Sequence, residues 1–200
     1  MTDFKILTVC SGNICRSPMA EQLLRAGLNA YPGVIVASAG TIGLVGERMD
    51  ARALNLATSF GVTDAASHVA RELNEQQIRE ADVVFAMSRE HRRAIVQLHP
   101  RSSRYTFTIR EFARIASEIT DIDLSDAASL PGEDVAGRFA VAVEAAASLR
   151  GIVTPPENAD DDDVVDPYRR ADEIYVLSGR QLVPAVQGTL SLFERAAKAV

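Results

Sequence analysis

Polar and apolar positions in this chain alternate between two periods. Phe4-Lys5-Ile6-Leu7-Thr8-Val9 is an apolar, β-branched run bounded by a turn signal, and it predicts a short buried strand. Cys10 ends the run and Ser11-Gly12-Asn13 follows. Glycine and asparagine are the residue types that enter left-handed backbone most readily. Ser17-Pro18 then predicts a helix start, with the serine as N-cap and the proline in the first turn. Residues 20–30 place Leu23, Leu24 and Leu28 on one helical face, with Gly27 interrupting it. A second strand is predicted over 34–37, running into Ser38-Ala39-Gly40-Thr41, and a helix over 50–60 closed by Gly61. A short helix over 74–80, a strand over 81–87 and a helix over 89–98 stopped by Pro100 come next. The spacing then predicts a strand over 105–107 and helices over 109–118 and 133–149. A final helix is predicted from about 179 to 199, with Pro184 near its start. Strands separated by helices imply an α/β fold: an open, mostly parallel twisted sheet with helices on both faces. In such sheets ligands bind outside the carboxyl ends of the strands, where Cys10, Ser38 and Met87-Ser88 fall.

Composition narrows the class. With 200 residues, 47% hydrophobic and 24% charged, the chain is expected to form one domain over 1–200. An exposed loop is expected at 152–163, where Pro155-Pro156 is followed by Asp160-Asp161-Asp162-Asp163 read as solvated charge. A net charge of -6 argues against a general nucleic-acid binder. No apolar stretch is long enough to span a bilayer, and the first residues lack the pattern of a secretory leader, so a cytoplasmic protein is expected. Cys10 and Cys15 share one loop and make no disulfide framework. His68, His91 and His99 are scattered, so neither a metal site nor a cofactor is expected; His91 and His99 read as surface residues.

The chemistry concentrates around Cys10 and Arg16. Five intervening residues let the chain wrap once, so that the arginine faces back toward the sulfur. A guanidinium offers a rigid fork of donors that matches phosphate oxygens in pairs. A loop between a strand and a helix adds backbone N–H groups and the positive end of a helix dipole. That environment suits a dianion and a thiolate, which is the nucleophilic form of cysteine. Ser17 is placed to donate its hydroxyl to the sulfur. The loop is not a Walker nucleotide-binding loop, because no Gly-Lys-Ser/Thr follows it.

VCSGNICRSPMAE resembles the signature of the low-molecular-weight protein-tyrosine phosphatases, pattern Cys-x-Gly-Asn-x-Cys-Arg-Ser-Pro. Ser38-Ala39-Gly40-Thr41, His68-Val69-Ala70-Arg71 and Asp166-Pro167-Tyr168 resemble three further segments of that family in the same order. The likeness is weakest between about 102 and 164, which is longer than in typical members. The resemblance implies that Cys10 is the nucleophile and forms a phosphocysteine. Arg16 would bind the phosphoryl oxygens, and Asp166 would be the general acid and later activate water. Ser11, Gly12, Asn13, Ile14, Cys15 and Ser17 would form the phosphate-binding loop. Asn13 would hold that loop through Ser17, Ser38 and His68, and Tyr168 would wall the substrate pocket. The implied partner is a tyrosine-phosphorylated protein, and phosphate or sulfate would occupy the empty site. Two departures bear on specificity. Ile42-Gly43-Leu44-Val45 is aliphatic where many members carry an aromatic, and Arg169-Arg170 follows Tyr168 where many carry a second one. The competing readings are a low-molecular-weight-thiol-coupled arsenate reductase and a phosphoarginine phosphatase. A thioredoxin-coupled reductase is disfavoured, since no cysteine follows Cys15.

Overall fold

The computed structural model describes residues 3–62 and 65–200. Four strands, β1 (Phe4–Cys10), β2 (Val34–Gly40), β3 (Val83–Ala86) and β4 (Thr106–Thr108), form one sheet in the order β2-β1-β3-β4. All three pairings are parallel, with Cys10 opposite Gly40 and Val9 opposite Ala86. Side chains of β1 divide between the two faces with the strand's period of two. Phe4, Ile6 and Cys10 join the larger apolar cluster, while Leu7 and Val9 join a smaller one with Leu73, Ile78 and Ile95. Helices α1 (Arg16–Gly27), α2 (Ala51–Ser59), α5 (Ile109–Ala116), α7 (Val135–Leu149) and α8 (Asp172–Ala197) supply the larger cluster; α3 (Glu75–Glu80) and α4 (Arg89–Leu98) supply the smaller. A short helix, α6 (Ser125–Ala128), precedes α7.

The region from 102 to 164 builds much of the larger core. Phe139 of α7 stacks on Phe193 of α8 at 4.5 Å between ring centroids, and Phe4 meets both rings edge-on. Phe112 of α5 joins Phe85, Phe107 and Phe193. Such offset and edge-on pairs add to the area they bury. Arg138 of α7 is buried and donates to the carbonyl oxygens of Leu130, Pro131, Ala197 and Ala199. It thereby joins the loop before α7 to the chain end after α8.

Several expectations are corrected. Helix α1 begins at Arg16 with Cys15 in the N-cap position, and Ser17 makes no cap hydrogen bond. The Ser17 side chain is instead drawn under the loop, as described below. Gly12 does not take a positive φ; among the loop residues Asn13 alone does, at 56°. Gly27 sits inside α1 because a Cβ there would fall 2.4 Å from Leu190 of α8. Pro184 lies well inside α8 rather than near its start. A buried stripe from Tyr175 through Ser178, Leu182, Val186 and Phe193 carries the helix across it. That burial offsets the roughly 3 kcal/mol that an interior proline costs. The 152–163 stretch is largely exposed, but its acidic run is anchored rather than simply solvated. Arg89 pairs with Asp160 and Asp163, and Arg114 donates to both carboxylate oxygens of Asp162. Among the described residues, no helix is long and apolar enough to cross a membrane.

Candidate active site

Cys10 ends β1 at the carboxyl edge of the sheet, buried at the base of a cavity of about 180 Å³. Its Sγ lies 3.0 Å from Ser17 Oγ. The loop from Ser11 to Cys15 wraps this sulfur, and the carbonyl groups from Cys10 to Ile14 are all engaged by neighbouring segments. Thr41 N donates to Cys10 O, Ile42 N to Ser11 O, Leu44 N to Gly12 O, and Asp50 N to Ile14 O. His68 Nε2 lies 2.7 Å from Asn13 O. In a trans peptide the C=O and the following N–H point in opposite directions. Carbonyls pulled outward from Cys10 to Ile14 therefore turn the N–H groups of Ser11 to Cys15 the other way, as an anion nest needs.

The Asn13 side chain fixes this shape from within. Its Nδ2 donates to Ser17 Oγ at 2.9 Å and to Ser38 Oγ at 2.8 Å, and its Oδ1 accepts from Arg71 N at 2.9 Å. Asparagine also tolerates the left-handed backbone found there. Gly40 is needed for a different reason: a Cβ at that position would lie 2.3 Å from the carbonyl oxygen of Ser11. Ser38 in turn donates to Glu21, which also pairs with Arg25 and lies 3.9 Å from His68 Nδ1.

Arg16 opens the first turn of α1 and is 5% exposed. One Nη donates to Val164 O at 3.0 Å, and the other meets Asp166 Oδ2 at 2.8 Å. Its Nε has no protein partner although it is buried. Asp166 stands on the loop after the acidic run and is half exposed, with Oδ1 accepting from Tyr168 N. The loop is tied down on both sides, since Val164 N donates to Met87 O and Val165 N to Gln181 Oε1. Cys10, Ile14, Arg16, Asp166 and Tyr168 line the small cavity together with Ile42 and Leu44. Arg169 packs over the Tyr168 ring, 5.0 Å from its centroid.

Residues 5–144, more than half of the chain, match the sequence profile of the low molecular weight phosphotyrosine protein phosphatases. The chain belongs to this family. Its members are phosphoric monoester hydrolases, and this chain carries the phosphatase fold with its phosphate-binding loop after β1. It is 38% identical over 104 residues to the low molecular weight protein-tyrosine-phosphatase Ptp of Acinetobacter johnsonii, spanning 52% of this chain and 70% of that one. A protein-arginine-phosphatase of Geobacillus stearothermophilus is 36% identical over 123 residues, 62% of this chain and 78% of that one. The solved low molecular weight protein tyrosine phosphatase of T. tengcongensis superposes with a TM-score of 0.65 at 25% identity, covering 94% of this chain and 99% of the other. Against Etp of Escherichia coli K12 the matched stretch is 62% of the relative's length. The family profile stops before Asp166, so the late loop of this phosphatase rests on its own geometry.

Two buried residues beside the Cys10 loop escape a reading by motif. His91, expected at the surface, is 4% exposed. Its Nε2 lies 2.9 Å from Ser11 Oγ and its Nδ1 2.8 Å from Ser88 Oγ. Burial first, and the Arg16 charge second, push its pKa down to about 4. Helical spacing gave the only available clue, because His91 lies on the first turn of a helix that starts at a strand's carboxyl end. Glu21 is the second: a buried carboxylate beneath the loop, signalled only by its place in the Arg-Ser-Pro-Met-Ala-Glu run. Cys15 packs under the loop, and burial pushes its thiol well above the usual cysteine range. Among the described residues, no group of three or more His, Cys, Asp or Glu side chains is arranged to hold a metal ion.

Proposed function

We propose that this phosphatase hydrolyses phosphotyrosine in a protein substrate through a phosphocysteine formed on Cys10. The observation that carries the reading is the arrangement over one cavity. Cys10 and Ser17 meet at its base, the Ser11–Cys15 N–H groups turn inward, and Arg16 reaches Asp166 at 2.8 Å. A phosphoryl dianion entering here takes the Arg16 N–H groups that Asp166 now holds, which frees the carboxylate to take a proton from solvent and to meet the leaving oxygen as a carboxylic acid. The Cys10 thiolate then forms a bond to phosphorus as the bond to the phenol oxygen breaks. Asp166 supplies the proton to that oxygen. Water next attacks the phosphocysteine and gives its proton to Asp166. The S–P bond breaks with its electron pair returning to sulfur, and inorganic phosphate leaves. Arg16 and the loop N–H groups stabilise charge that develops on the equatorial oxygens in both steps.

Ile14, Ile42, Leu44 and Tyr168 make the walls of the cavity apolar, which suits a phenyl ring. Stacking on Tyr168 is worth about 0.5–1.5 kcal/mol. Likeness to a protein-arginine-phosphatase supports phosphoarginine as the second substrate. Ile14, however, adds apolar bulk beside the sulfur and offers a guanidinium leaving group no hydrogen bond. Phosphoserine lacks the length to reach Cys10. A rate panel over phosphotyrosine, phosphoarginine and phosphoserine peptides and arsenate tests the order, with phosphotyrosine expected fastest. Faster turnover of phosphoarginine or arsenate overturns the substrate class. In Asp166→Ala, poor leaving groups are expected to slow about 10²–10⁴-fold and good ones far less. Equal slowing of both removes Asp166 from the proton-transfer role.

A further inference from the structure

A second cavity, about 510 Å³ in volume, adjoins the one over Cys10 and shares Ser11, Arg16 and Asp166 with it. Ser11 thus stands at the boundary, and it is the only loop residue whose side chain hydrogen-bonds to a helix on the far side of the sheet, as judged among the described residues. The contact runs inward through His91 to Ser88. Ser88 caps α4, its Oγ accepting the backbone N–H of His91 at 3.3 Å. The neighbouring backbone is held as well, since Met87 N donates to Val9 O and Val164 N to Met87 O. The ring of His91 is therefore clamped at both nitrogens on a rigid helix end, between β1 and the loop that carries Asp166.

Proton inventory allows this chain of groups one arrangement that leaves a hydroxyl donor at the cavity. Ser88 Oγ already accepts one N–H, so its own hydrogen is available to Nδ1 of His91. A neutral ring that accepts at Nδ1 carries its hydrogen on Nε2 and donates it to Ser11 Oγ. The depressed pKa of His91 is consistent with a neutral ring at physiological pH. Ser11 Oγ then has its acceptor role filled by the imidazole, and its hydroxyl hydrogen is left for the space that Ser11 lines.

We propose that Ser11 is a ligand-contacting residue of the phosphatase site, its hydroxyl donating to a phosphoryl oxygen, and that His91, fixed by Ser88, is the positioning residue that aims it. The inference rests on the phosphatase reading of the Cys10 cavity but not on which phosphorylated residue is the natural substrate. It adds a side-chain donor to the backbone N–H groups and Arg16. It also gives the α4 end of the molecule a part in substrate binding.

The test uses para-nitrophenyl phosphate as substrate and inorganic phosphate as competing anion, so that its outcome is independent of the order of natural substrates. Ser11→Ala is expected to lower kcat/KM and weaken phosphate inhibition by about 10- to 100-fold, the range for one hydrogen bond to a charged oxygen. His91→Ala is expected to cause a similar loss in the parent and almost none in a Ser11→Ala background, because both changes remove the same contact. His91→Gln, which can place an N–H near the Nε2 position, is expected to recover part of the loss. Nitrogen-15 NMR of the imidazole is expected to show hydrogen on Nε2 in the parent enzyme. A Ser11→Ala enzyme within twofold of the parent overturns the proposal. So does a His91→Ala loss that is equally large with and without the Ser11 hydroxyl, or a ring carrying its hydrogen on Nδ1. Should His91→Ala fail to fold, the Ser11→Ala kinetics and the NMR tautomer decide the matter alone.

Discussion

Replacing Asn13 by alanine removes the one side chain that holds the loop from inside, and its cost can be worked from the contacts. Three hydrogen bonds disappear: two donated to Ser17 Oγ and Ser38 Oγ, and one accepted from Arg71 N. Ser17 keeps Ala39 O and Ser38 keeps Glu21, so neither hydroxyl is orphaned. The bond from Arg71 N is only partly buried, so water can replace the acceptor lost there. The two buried bonds then count at about 1 kcal/mol each rather than at the larger cost of an unsatisfied group. Alanine at the positive φ of position 13 adds about 1–2 kcal/mol. The sum is about 3–4 kcal/mol, against a total stability of roughly 5–15 kcal/mol for a domain. Asn13→Ala is thus expected to fold, with its urea midpoint lowered by about 1–2 M. Asn13→Gly loses the same bonds without the backbone strain and is expected to be about 1–2 kcal/mol more stable than the alanine variant. Both should lose at least about 10²-fold in kcat/KM, because the N–H groups of the loop are no longer held in place. A midpoint shift worth under about 1 kcal/mol, or equal stability of the two variants, refutes the reasoning.

Acid should weaken the fold through His91. Above pH 6.5 the ring is neutral whether folded or unfolded; as pH falls from 6.5 to about 4 only the unfolded chain takes up the proton, so stability drops across that window. The loss approaches about 3 kcal/mol below pH 4, with Arg16, Asp166 and Asp163 the charges facing the ring. His91→Gln should flatten this limb in denaturation curves taken from pH 7 to 4, and an unchanged slope would show that the ring is not responsible. Gly40→Ala should cost most of the activity with little change in far-ultraviolet circular dichroism, since its Cβ collides with the Ser11 carbonyl, and a fully active variant would mean the backbone there is not tightly apposed. Phe139→Ala should lower stability by about 3–5 kcal/mol through the cavity left against Phe193 and Phe4, and a loss below about 1 kcal/mol in a urea titration would place Phe139 outside the core.

The sequence by itself determined the strand, loop and helix order around Cys10, because each depends on neighbours in the chain. The apolar run makes β1, the Asn13 position needs left-handed backbone, and a spacing of five residues brings Arg16 back to the loop. Helix α4 was legible to the residue, since Ser88 caps it and Pro100 follows it, both local signals. Motif resemblance also picked out Ser38, His68 and Asp166, which the tertiary structure brings to the same loop from three separate segments. What only the tertiary structure decided were the pairings with no sequence period. Ser17 looked like a helix cap and became a buried partner of Cys10, because its hydroxyl is more strongly demanded by the sulfur and Asn13 than by the helix end. His91 looked like a surface residue and is a buried link to Ser11, because the parallel sheet sets the start of α4 beside the end of β1. The acidic run looked solvated and is clamped by Arg89 and Arg114, from helices far away in sequence. Proline inside α8 looked like a boundary, and long-range burial on both sides of it overrode a local penalty. Local chemistry is written along the chain; the choice of partner for a buried polar group is made by the packing that removes water from it.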